Sequence, residues 1–356
     1  MTTLWQSILL LASLFSVEAA PETDPSPYPG DSIDDIAIWV NPEDPSQSLI
    51  LAELKASNQM PRKPLGILVY DLNGKQIQFL EGGSPNNIDI RYGYTHQGRS
   101  IPVIAVSHWW HNYVSLLTIN PESLKLEELT TTRIDTGMKQ VRGLCMYKSP
   151  SDEFYYFVLN NQGEVAQFKI NDEGQLQAEK VREFKLESVS EGCVVDDYHK
   201  QLYIAEKTKG IWKFAADPES IQGKLIIELH WYSSIAADLE GLTIYNGGNG
   251  TGYLLVSSQG NDRFAVYDRV SNNHIATFTI DDRQDLDQQR RIDGTSHTDG
   301  IEAVSANFGD RFPKGILIAH DDANISINGT SEHQNYKLID WQSISDRLMM
   351  IQSKRQ

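Results

Sequence analysis

The chain has 356 residues, room for one large domain, and sets 48 acidic side chains against 31 basic ones for a formal charge of −17. A surface that acidic excludes nonspecific binding to nucleic acid or to anionic membranes. No linker or low-complexity tract divides the chain, so it reads as a single domain.

Residues 8–17 are mainly apolar, and Val17-Glu18-Ala19, with Pro21 just beyond, fits a small-residue cleavage site. Residues 1–20 therefore read as a secretory signal, although no Lys or Arg precedes the apolar run. The run is too short to span a membrane. Residues 21–356 are expected as a mature chain exported to the periplasm or secreted.

From there the chain repeats itself. Short apolar runs open on a polar anchor at Asp35, Asn87, Arg142, Glu191, Glu240 and Asp299, spaced 52, 55, 49, 49 and 59 residues apart. Each is followed by a second apolar run, at residues 48–52, 102–106, 155–159, 202–205, 253–256 and 315–319. A third, alternating run comes next in several units, as at residues 66–74, 165–174 and 210–214. Richness in Val, Ile, Leu and Tyr, with Gly, Asn, Asp and Pro at the ends, marks these runs as strands. Amphipathic helical stretches are nearly absent before the C-terminal end. Three or four strands per unit, repeated six times, predict an all-β fold, a six-bladed β-propeller.

An antiparallel blade brings the start of its innermost strand and the end of its second strand to one rim. The anchors should therefore meet Lys55, His108-Trp109, Asn160-Asn161, Glu206-Lys207, Gln259 and His320-Asp321-Asp322, joined by Asp34 and Asp238 just ahead of their anchors. A lone surface carboxylate is usually just solvated. A ring of them at matched repeat positions needs a neutralising cation, and hard Ca²⁺ suits carboxylate, amide and carbonyl oxygens. There is no helix-borne His pair or Cys cluster of the kind zinc requires.

Cys145 lies three residues past its anchor and Cys193 two past its own. With a side-chain period of two they are expected on opposite faces and unbridged. Ser107 and His108 are adjacent but lack a repeat-matched acid, so no Ser-His-Asp triad is expected.

From Asp34 to Trp341 the sequence resembles the β-propeller phytases. The resemblance rests on Asp34-Asp35-Ile36-Ala37-Ile38-Trp39-Val40, Asn86-Asn87-Ile88-Asp89-Ile90-Arg91-Tyr92, Leu202-Tyr203-Ile204-Ala205-Glu206, Asp238-Leu239-Glu240-Gly241-Leu242-Thr243-Ile244-Tyr245, Ser257-Ser258-Gln259-Gly260-Asn261 and Gly294-Thr295-Ser296-His297-Thr298-Asp299-Gly300-Ile301. It implies a calcium-dependent phosphomonoesterase of the 3-phytase type, which removes phosphate from inositol hexakisphosphate by metal-activated water. It further implies that Asp34, Asp35, Glu191, Glu206, Asp238, Glu240 and Gln259 surround several calcium ions and that Asp299 belongs to a further calcium region. Glu191 is the expected residue for orienting or deprotonating the water.

The sequence departs from the family pattern where cationic donors should meet the phosphate. Lys55 fills one such place, beside an extra stretch over residues 56–64. Trp109 stands where an Arg is expected, Arg142 where a Tyr is expected, and Asn161 where a Lys is expected. Arg142 is therefore expected to supply the lost guanidinium, with Lys55 and Asn161 beside it at the phosphate. Two other readings stay open: a weakly active or noncatalytic relative, and another calcium-dependent propeller hydrolase such as a lactonase or esterase, which Trp109 and Trp110 would suit. A closed propeller is expected as a monomer.

Overall fold

The structure, a computed structural model, describes residues 14–55, 64–129, 133–172, 176–285, 290–326 and 328–355. The strands fall into six blades around a central channel, as the repeat predicts. Blade 1 consists of Ile33–Trp39, Leu49–Leu54, Gly66–Tyr70 and Gln76–Glu81, each antiparallel to the next. The innermost strands of the next five blades are Pro85–His96, Val141–Lys148, Ser190–Asp196, Leu239–Gly248 and Ile301–Val304. The C-terminal helix, Trp341–Ser353, buries Trp341, Ile344 and Leu348 against the core between blades 5 and 6.

Alternation along each strand gives every blade two apolar faces, and neighbouring blades stack face to face. A separate buried cluster accordingly fills each of the six interfaces between blades. The inner ends meet more tightly. A Cβ on Gly143 would lie 1.9 Å from the carbonyl oxygen of Glu191, and one on Gly192 1.8 Å from that of Glu240. On Gly241 it would lie 2.6 Å from the carbonyl of Asp299, and on Gly300 2.5 Å from that of Asp34. The glycine after each of these anchors is thus the contact with the next anchor, and only a residue without Cβ permits it. The last of these contacts, Gly300 on Asp34, closes the ring.

Both chain ends take part in closure. Residues 20–26 run along the outer strand of blade 6, Asn335–Asp340. Ala20 N donates to Leu338 O (2.8 Å), Leu338 N to Pro21 O (2.9 Å), and Thr23 N to Tyr336 O (2.9 Å). The fully buried Lys337 ammonium pairs with Glu22 at 2.6 Å and Asp321 at 3.2 Å. Leu14–Glu18, inside the span expected as a leader, adds a parallel strand to the edge of blade 5. Val17 and Ala19 are buried there, so a cut after Ala20 would strip packed structure from the ring. Residues 1–13 lie outside the described residues.

The cysteine expectation is overturned: Cys145 and Cys193 form a disulfide, with Cα atoms 5.7 Å apart. Opposite parity was the wrong criterion, because the two residues sit on adjacent blades. Face-to-face stacking brings one face of blade 3 against the opposite face of blade 4, and both cysteines belong to that shared cluster. A loop of 48 residues restricts the unfolded chain by about 4 kcal/mol on the chain-entropy account.

Candidate active site

The anchors sit in irregularities of the inner strands. Pairing registers shift between Ile33 and Ile36, Pro85 and Asn87, Val141 and Leu144, Ser190 and Cys193, and Leu239 and Leu242. Each shift brackets Asp34-Asp35, Asn86, Arg142-Gly143, Glu191-Gly192 or Glu240-Gly241. Such bulges re-aim side chains out of the alternation, here toward the mouth of the channel. The result is a cavity of about 300 Å³ lined by Asp34, Lys55, Arg142, Glu191, Lys207, Glu240, Gln259 and Asp299, among others. Behind it a channel of about 660 Å³ continues past Asp35, Asn87, Asp89 and Glu302.

Cationic side chains thread the carboxylates. Lys55 Nζ lies 2.7 Å from Asp34 and 2.7 Å from Asp31. Lys207 Nζ lies 3.0 Å from Glu191 Oε2 and also donates to Glu240 Oε1. Glu191 Oε1 accepts from Asn86 Nδ2 (3.1 Å) and from Arg142 Nη1 (3.5 Å). Arg142 itself stacks over the Trp109 ring, 4.0 Å from guanidinium carbon to centroid, and donates from Nε to Asn161 Oδ1 (3.1 Å). Gln259 Nε2 donates to Asp299, and Asn87 Nδ2 donates to Asp35 at 2.8 Å.

Burial dominates the electrostatics of this rim. It pushes the Asp34 carboxyl up to about 8 despite the Lys55 ammonium, and Asp35 to about 8 despite its bond from Asn87. It raises Asp299 to about 6 and Glu240 well above the ordinary range. Glu191 is the exception: burial opposes its ionisation, but the Lys207, Arg142 and Lys55 charges together hold it at about 2. A carboxylate held that low accepts hydrogen bonds well and accepts a proton poorly.

The family model described as Phytase matches residues 7–353. The chain belongs to the phytase family. It is 39% identical over 342 residues, covering 94% of this chain and 86% of the relative, to the 3-phytase of Bacillus subtilis (strain 168). Among solved structures it is similar to a calcium-binding protein, regucalcin, from Agrobacterium tumefaciens, with a TM-score of 0.54 at 9% identity over 92% of this chain and 96% of that one. The latter likeness is one of fold.

Family membership gives the positions their meaning, and the structure sorts them. Asp34, Lys55, Arg142, Glu191, Glu240, Gln259 and Asp299 share one cavity, while Asp35 faces the channel below. Glu206 does not join them: its oxygens accept from Ser188 N (2.7 Å), Ser188 Oγ (2.8 Å) and Trp212 Nε1 (2.7 Å). It is a fully buried brace for blade 4. Asp238 is half-buried outside the cavity lining, and its carbonyl accepts from Gln259 N at 2.9 Å. Trp109 and Asn161, two of the departures from the phytase pattern, both grip the third, Arg142. The stretch with Arg62 and Lys63 lies outside the described residues. Ser107 Oγ donates to Arg142 O (2.6 Å) while His108 Nε2 meets Ser115 (2.8 Å), so the two form no catalytic pair.

Three participants escaped the sequence reading. Asp31 partners Lys55, Asn86 reaches Glu191, and Glu53, fully buried behind the rim, accepts from Asp35 N. Lys207 was visible as a strand-end neighbour of Glu206 but had no assigned role. Its signal was its place, matched in the repeat to Lys55 at the end of a second strand.

Proposed function

We propose that the chain is a calcium-dependent phosphomonoesterase that hydrolyses phytate to lower inositol phosphates and phosphate. The observation that carries this reading is the shared cavity: buried carboxylates and three cationic side chains converge at one end of the channel of a phytase-family fold. A polyanion approaching so acidic a protein requires cations at the point of contact, and the rim supplies some of its own.

The donor set fits calcium in kind. Asp34, Glu240, Asp299 and Gln259 are hard oxygen donors, and burial leaves the first three poorly ionised, a cost that a divalent ion would offset. Asn86 Oδ1 and Glu53 Oε2 are buried acceptors without a hydrogen-bond partner. Among the described residues no three carboxylate, His or Cys side chains are disposed to hold a metal ion; ammonium groups stand between them instead. By donor type and by their shared place at the cavity and channel, the residues we assign to calcium are Asp34, Asp35, Glu191, Glu240, Gln259 and Asp299, without Glu206 or Asp238.

When bound, calcium neutralises charge between carboxylate and phosphate and makes water more acidic. The chain's own residues do the rest. Arg142, whose Nη1 already meets Glu191, presents its remaining Nη donors to phosphate oxygens while Trp109 and Asn161 fix its plane. Lys55, from blade 1, adds a second positive charge to the cavity. Glu191, ionised and weakly basic, orients the attacking water. Water adds to phosphorus, the bond to the inositol oxygen breaks, and a proton passes to that leaving oxygen.

We also propose export. A disulfide is the chemistry of an oxidising compartment; N-terminal sequencing of the mature protein tests whether residues 1–20 are removed. The deciding experiment for function is phosphate release from phytate by purified protein with calcium and with chelator. Release confined to the calcium sample is expected; none in either overturns the reading.

A further inference from the structure

Lys207 is held more rigidly than a surface lysine. Its backbone N donates to Val189 O (3.1 Å), and its carbonyl accepts from Leu239 N (3.0 Å). Those partners sit at the starts of the inner strands of blades 4 and 5, so the two strands that carry Glu191 and Glu240 both clamp it. Its ammonium bonds a carboxylate oxygen from each. The Glu191 and Glu240 side chains are only 10% and 6% exposed, and two carboxylates so buried cannot both stay ionised without a cation between them. An ammonium has three donors. Two are taken, and the side chain lines the open cavity.

We propose that Lys207 is a built-in cation of this site, occupying the place between Glu191 and Glu240 that a divalent ion would otherwise take. Its third donor faces the cavity and binds a phosphate oxygen. The proposal rests on the phosphatase reading for its ligand, but the charge substitution stands apart from turnover. One consequence is that the ring takes one calcium fewer than its carboxylates could hold. Another is that inorganic phosphate retains a foothold when calcium is removed.

The test compares calcium bound per chain by equilibrium dialysis for the native protein, Lys207→Gln and Lys207→Arg. Lys207→Gln should bind one ion more than the native protein, and Lys207→Arg the same number. Equal numbers in all three would overturn the proposal. A Lys207→Gln chain that folds only after calcium is added supports it as well. Should that variant fail to fold under any condition, amine labelling of the native protein decides. Lys207 should label slowly with and without calcium and more slowly with inorganic phosphate. Labelling that rises in calcium to the rate of exposed lysines would show that the ion displaces Lys207, and the idea fails. None of these readouts needs phytate, so an inactive protein that still passes them removes the phytase reading and leaves Lys207 as a resident cation.

Discussion

At the far end of the channel, Arg91 reaches Asp89 at 2.9 Å and Asp197 at 2.8 Å, and Arg269 grips Asp196 with two bonds of 2.6 and 2.7 Å. At the near end, Asp34, Glu240 and Asp299 crowd around lysines that cannot satisfy them all. Inner strands supply the carboxylates Asp89 and Asp196 of the far end and Asp34, Glu191 and Glu240 of the near end. Guanidinium forks at the far end meet carboxylates two bonds at a time, and Asp196 is held below its ordinary range because the Arg269 and His199 bonds overcome its burial. The near end leaves carboxylates raised by burial. The contrast separates charge arranged for stability from charge arranged to receive something.

The largest expected effect lies at the far end. Asp196→Asn leaves Arg269 buried without its counter-charge and should cost about 3–5 kcal/mol of stability. Chemical denaturation should show that loss, while kcat on phytate stays near normal in the folded fraction. A matching loss of kcat would dissolve the distinction between the two ends.

Next is Glu191→Gln at the near end, nearly isosteric and short of one charge. It should lower kcat on phytate by about 10²–10³, the scale for one electrostatic group acting on a transition state, with little change in melting temperature. Near-normal turnover at saturating calcium would remove Glu191 from the reaction.

Arg142→Tyr should lower kcat/KM on phytate by roughly 1.5–3 kcal/mol, the scale for a hydrogen bond to a charged group. Trp109→Phe keeps a ring under the guanidinium and should cost distinctly less. If both changes leave kcat/KM untouched, phosphate binds elsewhere.

The ends should also differ in a pH slope. Asp34 and Asp35 have folded-state values near 8, above the 3.8 of the free group. The native chain thus binds more protons than the unfolded one between those limits, so without calcium its stability should rise as pH falls from about 8 toward about 5. Saturating calcium should flatten that slope. Asp196, with its depressed value, contributes fully throughout this window and loses its contribution only at lower pH. Urea denaturation with and without chelator measures the slope, and equal slopes would mean that no cation relieves the rim.

Much of the near end was legible because repetition exposes it: six anchors at one period must converge, and Arg142, Glu191, Glu240 and Asp299 share one cavity with Asp34, the neighbour of the anchor Asp35. The Gly that follows four of the anchors drew no reading, because its reason, contact with the neighbouring anchor, needs the ring. Glu206 carried the same rim signature as Lys207, yet its oxygens go to Ser188 and Trp212, which no spacing encodes. The disulfide was lost because parity was applied within a blade when the contact lies between blades. The pairing of Leu14–Glu18 with blade 5 was not legible, because a short apolar run serves an edge strand and a leader equally well.

Ring closure by residues 20–26 also bears on how the chain is made. Glu22 and Lys337 pair across 315 residues, so the first folded segment to be synthesised waits for nearly the last. Five blades can assemble in order as they emerge, but blade 6 lacks its outer edge until the N-terminal segment returns to it. Contacts of that separation form late. The chain therefore stays an open ring until synthesis is almost complete, and its acidic rim is sealed last.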